Sequence, residues 1–533
     1  MKSQPNLDRF NSRRSTVYGT RGVVSTSQPL AAESGIDVLR NGGNAFDAAV
    51  ATAAVLNVVE PMSTGLGGDM FAIYRTADDE IGAFRACGGA PEQATPGAIR
   101  SVVDSDEMPD RGALTVTVPG APHGWETLLK EFGRRPMESV LGDAIRYARD
   151  GFPVTEVIAS MWEDSAELLI GDDARETYLV DGKRAPRVGE QFTNAPLADT
   201  LSTLARRGSD PFYEGEIAET IVETVERRGG LLRKSDLEGF STEFVDPITT
   251  SYGGVDVYEL PPNTQGMVAL EALNIAEELG CTRDGLAEPE RVHRLIEAMK
   301  LAMHDGKRYI TDPEYESIPA LADEGYAADR AATVGDTASE PSVGHPKSAA
   351  EDADTVLLTV ADGDGNVVSF INSIFHDFGS GVVAGSTGIT LQNRGASFSL
   401  DPDHPNSVAP GKRPFHTLIP GLARFGADDW AAFGVMGGYM QPQGHLQVLT
   451  NLIDKEMTLQ EALDEPRWRY MSDGSVAVEG RFDATVAAKL ARRGHNITFE
   501  LPVEFGGGQI ARNDSGTLSG ATEPRKDGTA ATY

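Results

Sequence analysis

Thr355 follows a tract of small and acidic residues, TVGDTASEPSVGHPKSAAEDAD, and opens the β-rich run TVLLTVA. That juxtaposition has a specific chemical use. If the Asp354–Thr355 bond is cut, Thr355 acquires a free α-amine beside its own Oγ. An α-amine titrates near pH ~8, so it serves as a local general base for a hydroxyl that would otherwise need a neighbouring histidine. The cut can be intramolecular: the hydroxyl attacks the preceding carbonyl, and water opens the resulting ester. The simpler alternative is a β-branched residue in an ordinary strand. Gly437 and Gly438, after the apolar stretch AAFGVM, are suited to aiming backbone N–H groups at an oxyanion, because residues without side chains allow close approach. Arg413, His416 and Thr417, in PGKRPFHT, are suited to a substrate carboxylate or amide. Other chemistries find less support. The two cysteines, Cys87 and Cys281, form no C-x-x-C pair, and the chain has no H-E-x-x-H, phosphate-loop or G-x-S-x-G motif. No metal or cofactor is expected.

The elements that must position Thr355 are legible nearby. TVLLTVA, the polar turn Asp362-Gly363-Asp364-Gly365-Asn366 and VVSFINS read as a β-hairpin. If the turn centres on Asp364, antiparallel pairing sets Thr355 opposite Ser373, with Cβ atoms roughly 5 Å apart. Upstream, helices are expected over Pro29–Arg40, stopped by Gly42-Gly43, and from an Asn44 cap through Val58. Gly65, Gly67 and Gly68 break the chain before a strand at Met70–Tyr74, and a helix is expected over Val292–Arg308. Residues 331–354 have the composition of a mobile surface segment.

Composition bounds the rest. The chain has 533 residues, 40% hydrophobic and 24% charged, enough for a large core and a soft prior of three or four units. A net charge of -33 argues against nucleic acid or anionic membrane as partner. The basic residues are 36 arginines against 11 lysines, which together with the acidic surplus suggests adaptation to high salt; an acidic protein from a GC-rich genome is the alternative. The opening MKSQPNLDRFNSRRSTVYGT lacks an apolar export region, so a cytoplasmic location is expected.

Taken in order, the segments RGVVSTSQPLAAESGIDVLRNGGNAFDAAVATAAVLNVVEPMSTGLGGDMF, VPGAPHGW, EAMKLAMHDGKRYITDP, DTVLLTVADGDGNVVSF, FGSGVVAGSTGITLQNRG, PNSVAPGKRPFHTLIP, VMGGYMQPQGH and GATEPRKDGTA resemble the γ-glutamyltransferase (γ-glutamyltranspeptidase, glutathione hydrolase) family over nearly the whole chain. The resemblance implies an α+β fold: a four-layer αββα sandwich of the N-terminal-nucleophile hydrolase type. The chain would be a zymogen that cuts itself into a large segment, 1–354 with an acidic tail over about 331–354, and a small segment, 355–533, the two forming one αββα unit. It also implies the nucleophile at Thr355, its accompanying hydroxyl at Ser373 and the oxyanion glycines at Gly437 and Gly438. Homo-oligomers of the two-segment unit are an open possibility.

The substrate pocket departs from that pattern. The serine pair gripping the glutamyl carboxylate in many members corresponds to His416-Thr417, and the carboxylate-binding arginine to Cys87, with Arg85 a candidate substitute. The acidic receiver of the substrate amine corresponds to Ser397, its polar neighbour to Arg394, and an asparagine beyond the second hydroxyl to Phe375. A headgroup carrying both charges would be poorly compensated in such a pocket. Two enzymatic readings therefore stand: hydrolysis or transfer of the γ-glutamyl group of glutathione-like amides, and an acylase or amidohydrolase acting on a non-glutamyl amide, with Arg394 pairing a substrate carboxylate. A non-catalytic binding protein that never cleaves is the third. Thr355→Ala is expected to leave an inactive precursor of full mass; cleavage persisting at residue 354 in that variant, read by intact mass, would overturn self-processing.

Overall fold

The computed structural model describes residues 14–103, 105–283, 285–340 and 355–533. The first part of the chain gives β1 (Val17–Gly19), β2 (Gly22–Thr26), α1 (Pro29–Arg40), α2 (Ala45–Val59), β3 (Asp69–Arg75), β4 (Ile81–Ala86) and α3 (Ala121–Phe132). There follow β5 (Glu243–Val245), β6 (Ile248–Tyr252), β7 (Val255–Glu259), α4 (Gly266–Glu278), α5 (Glu288–Tyr309) and α6 (Glu324–Ala331). After Thr355 come β8 (Val356–Asp362), β9 (Val367–Ser373), β10 (Gly421–Gly426), β11 (Asp429–Met436), α7 (Met440–Ile453), β12 (Gly507–Asp514), β13 (Thr517–Thr522) and β14 (Thr529–Thr532). Among the described residues no helix is long and apolar enough to cross a membrane.

These strands form two seven-stranded antiparallel sheets, in the orders β1-β13-β12-β11-β10-β7-β6 and β14-β2-β8-β9-β3-β4-β5. Their sequences alternate between two apolar surfaces. In β3, Phe71 and Ile73 face one cluster while Met70, Ala72 and Tyr74 join another; in β11, Trp430, Ala432 and Met436 divide in the same way from Ala431, Phe433 and Val435. The shared cluster draws on both sheets, which fixes their inner faces against each other. On the outer faces, α1 and α2 cover the sheet containing β8, while α4, α5 and α7 cover the other. Strands from before and after residue 354 are interleaved in both sheets: β8 and β9 lie between β2 and β3.

The hairpin turn is built as its composition suggests. Pairing runs from Val356–Asn372 to Ala361–Val367, the register expected for a turn centred on Asp364. Asp362 organises it. One carboxylate oxygen accepts the N–H groups of Asp364, Gly365 and Asn366 at 3.0–3.1 Å, and the other accepts the Ala45 N–H at 2.8 Å, at the start of α2. The turn is thereby tied to a helix N-terminus, where negative charge is favoured.

Helix α1 has the expected bounds, α2 runs one residue past Val58 from its Asn44 capping box, and the strand after the glycines starts one residue early, at Asp69. Helix α5 begins a turn earlier than expected, at Glu288, because Pro289 is tolerated in a first helical turn. The expectation of a mobile segment over 331–354 needs correction at its near end. Ala331 closes α6, and residues 335–339 are tethered: Gly335 C=O to His293, the Ala338 N–H to Arg493 C=O, and Ser339 N–H to Glu297 at 3.0 Å. Composition gave no sign of these partners, all remote in sequence. Residues 341–354, including Asp354, lie outside the described residues.

Asp362→Ala removes the acceptor of three turn N–H groups and of the buried Ala45 N–H at the start of α2. The expected cost is about 2–4 kcal/mol, read as a lowered urea midpoint of the purified protein; an unchanged midpoint would show that the turn holds without it.

Candidate active site

Thr355 and Ser373 meet as the hairpin register requires: the Thr355 hydroxyl donates to Ser373 Oγ at 3.3 Å, and both residues are buried. The register continues into the next strand, where Ser373 is opposite Asp69, and one step further sets Asp69 beside Cys87, since Met70 pairs with Ala86. Thr355, Ser373, Asp69 and Cys87 thus form a row across one end of the sheet. All four share the parity of the residues that face the second sheet. Gly68 permits this closeness: a Cβ there would lie 2.2 Å from the Ser373 carbonyl oxygen.

Beyond Ser373 the chain takes a strained turn. Phe375 has φ +80, a region bulky residues avoid, and its N–H donates to Ser373 Oγ at 2.8 Å. This conformation lays the Phe375 ring under the Arg394 guanidinium, 4.1 Å from centroid to Cζ. Arg394 is fully buried and donates through NH1 to Thr417 Oγ1 at 2.8 Å, while its Nε and NH2 have no hydrogen-bond partner among the described residues. Burial pushes its pKa down to about 10, which keeps it charged at neutral pH. His376, stacked on Phe375 at 4.0 Å, is pushed down to about 3 by burial and by Arg111 and Arg394, and stays neutral.

Gln265 joins the remaining pieces. Its amide donates to the Thr417 carbonyl at 2.8 Å and to the Gly438 carbonyl at 2.9 Å, so one side chain fixes both the His416-Thr417 segment and the glycine pair. Gly437 and Gly438 have φ of +116 and +56, which only glycine adopts freely, and they carry the chain from the end of β11 into α7. His416 Nε2 lies 3.0 Å from Asp69 Oδ2, and His416 Nδ1 accepts the Leu418 N–H at 3.3 Å, which assigns the ring proton to Nε2. The other Asp69 oxygen accepts from Gln392 at 3.0 Å and from the Gly120 N–H at 3.2 Å. Burial raises Asp69 to about 7 and drives His416 well below its usual range.

The structure therefore links Thr355, Ser373, Arg394, Thr417 and Gly438 through successive contacts, with His416 attached through Asp69. Two other basic residues are differently employed. Arg85 pairs with Glu243 at 2.8 Å and donates to the Pro262 carbonyl, and Arg413 pairs with Glu243, Asp312 and Glu314. Both are taken up by protein carboxylates. Ser397 lies one turn beyond Arg394, on a cavity of about 160 Å³ that it shares with Phe398, Phe415, Tyr439, Lys307 and His404. That cavity borders the segments carrying Arg394, His416 and Gly438.

Sequence reasoning missed Asp69 and Gln265. An acid directly after Gly67-Gly68, in phase with Phe71 and Ile73, was a readable signal for the first; nothing local marks the second. Among the described residues, His293, Glu297 and His495 have ligand atoms within 4.8 Å of one another, yet Lys300 already holds Glu297 Oε1 at 2.8 Å, supplying a cation to that cluster.

Comparisons with known proteins agree with one another. The family described as "Gamma-glutamyltranspeptidase" matches residues 31–533. A "glutathione hydrolase-like YwrD proenzyme" of Bacillus subtilis is 37% identical over 97% of this chain and 99% of its own length. An "oxamate amidohydrolase proenzyme" of Klebsiella pneumoniae is 36% identical over 97% of this chain and 100% of its own. Among solved structures, cephalosporin acylase from Bacillus halodurans superposes with a TM-score of 0.92 at 44% identity, covering 99% of both chains.

Gln265→Leu leaves two buried carbonyls unpaired and frees the glycine pair to shift. It is expected to lower turnover about 100-fold with a smaller change in KM; a proportionate loss of folded protein with kcat intact would show that Gln265 only stabilises.

Proposed function

The chain belongs to the gamma-glutamyltranspeptidase family, and on that premise we propose that it is a self-processing amidohydrolase whose Thr355 accepts an acyl group bearing a carboxylate. Its fold is then the four-layer αββα sandwich of N-terminal-nucleophile hydrolases, a reading supported by the shared inter-sheet core and the helices on both outer faces. Cleavage at Asp354–Thr355 yields segments 1–354 and 355–533, which stay together because their strands interleave in both sheets.

In the cut enzyme the Thr355 α-amine takes the proton of its own hydroxyl as Oγ attacks the amide carbonyl. The N–H groups of the Gly437-Gly438 turn receive the developing oxyanion, and the protonated amine passes its proton to the leaving nitrogen. Water, or an acceptor amine, then releases the acyl group from Oγ and restores the hydroxyl. Ser373 Oγ, 3.3 Å from the Thr355 hydroxyl, fixes its position.

The single observation that carries the substrate class is Arg394: a fully buried guanidinium whose Nε and NH2 nitrogens have no partner among the described residues, stacked on Phe375 beside the nucleophile's hydroxyl partner. A buried cation with idle donors is costly unless a ligand meets it, and a carboxylate meets two guanidinium donors at once. A γ-glutamyl amide and the monoamide of a plain dicarboxylic acid both supply that carboxylate; they differ in the glutamyl ammonium. Asp69, the carboxylate that faces Arg394, already receives three N–H donors. This favours acyl groups without the ammonium, of the glutaryl or oxamate kind. The γ-glutamyl reading retains the support of the relative described as glutathione hydrolase-like.

Glutaryl-p-nitroanilide is expected to exceed γ-glutamyl-p-nitroanilide in kcat/KM by about tenfold or more, equivalent to about 1.4 kcal/mol of transition-state binding. Arg394→Met is expected to raise the glutaryl KM about 10–100-fold. A KM unmoved in that variant would refute the carboxylate role, and the reverse order of substrates would restore the γ-glutamyl reading.

A further inference from the structure

Behind Ser373 the ionisable side chains around Asp69 are few and buried. Asp69 is faced by His416 from the segment after Arg413, by Arg394 from the segment after β9, by Cys87 at the end of β4 and by Tyr213 from the helix Asp210–Tyr213. Burial pushes the Cys87 thiol up to about 12 and the Tyr213 phenol well above its usual range, so both are neutral. His416 is neutral for the same reason. What remains beside Asp69 is the Arg394 guanidinium, both fully buried. Arg85, which also acts on His416 and Cys87, is already paired with Glu243 at 2.8 Å, and the Thr355 amine of the cut enzyme, titrating at pH ~8, acts alike on charged and uncharged substrates. A substrate carboxylate placed on Arg394 leaves one negative charge in excess, in surroundings that solvate it poorly. A proton added to the Asp69–His416 pair removes that excess. The pair can hold it: a proton on Asp69 Oδ2 is donated to His416 Nε2 at 3.0 Å once the imidazole moves its own proton to Nδ1, which gives up the 3.3 Å bond from the Leu418 N–H.

We propose that the Asp69–His416 pair is a proton-coupled counterweight to the substrate's carboxylate, taking one proton from solvent when an anionic acyl group docks on Arg394 and returning it when the acid product leaves. The inference rests on Arg394 being the carboxylate receiver argued above. Its sign follows from burial. Asp69 without substrate titrates near 7, and a second carboxylate nearby lifts it further. Below about pH 7 the pair already carries the proton and anion affinity is independent of pH. Above that, each bound anion must import a proton, and affinity falls by up to about tenfold per pH unit until the pKa of the bound form is reached.

The test uses the processed enzyme between pH 6 and 9, with glutaryl-p-nitroanilide and, as the uncharged match, butyryl-p-nitroanilide. The expected result is a glutaryl KM that is flat to about pH 7 and then rises about tenfold per unit, a butyryl KM without that rise, and an Asp69→Asn enzyme whose glutaryl KM no longer rises. Asp69→Asn keeping the full wild-type rise would overturn the proposal. Should that variant not fold, calorimetric titration of wild-type enzyme with glutarate at pH 8, in two buffers of different ionisation enthalpy, decides: uptake close to one proton per glutarate supports the proposal and none overturns it. Arg394→Met separates the two readings. If that variant loses glutaryl affinity while Asp69→Asn keeps the pH rise, only the counterweight fails; if Arg394→Met changes nothing, the carboxylate site fails with it.

Discussion

The antiparallel register of β8, β9 and β3 is the constraint from which the rest of the site follows. It aligns Thr355, Ser373 and Asp69 at the same level of adjacent strands, and parity turns all three toward the second sheet. A slip of one residue in either pair would turn a whole strand's side chains to the opposite face. The polar turn at Asp362, the glycines at 67 and 68 and the apolar alternation of β3 all act on this one quantity. The hydroxyl-to-hydroxyl contact at 3.3 Å is its outcome.

Upon that frame sits a group that folding alone does not favour. Arg394 is enclosed by Phe375 and Thr417, and the Phe375 backbone is held at positive φ to enclose it. Both features cost stability. Arg85 and Arg413, equally basic and nearly as buried, are each met by carboxylates of the chain. The contrast between met and unmet guanidinium groups, more than the number of arginines, sets Arg394 apart here.

Much of this was legible in the sequence where the signal was local. The hairpin register could be read because a five-residue polar turn and period-two alternation leave little freedom, and α1 and α2 because proline, asparagine and glycine punctuate them. The resemblance located Thr355, Ser373 and the glycine pair by their motifs. Gln265 and the bond from Asp69 to His416 were not legible, since each joins segments more than 150 residues apart and no local pattern encodes the partner. Arg85 was offered as a substitute for the arginine that Cys87 replaces, and its partner Glu243, 158 positions away, carried no local signal. The tethers on residues 335–339 were hidden likewise: composition reports what a segment is able to bury, and is silent about His293 and Glu297 waiting on α5 and about the Arg493 carbonyl.

The weaving of both sheets has a topological meaning of its own. Strands encoded on either side of residue 354 lie in adjoining blocks within both sheets, so neither length of chain owns a complete sheet or a complete core. Removing one would bare unpaired edges along the other, the surfaces most prone to aggregation. An intact chain brings those edges together within one molecule, so the edges of each length are covered as they form.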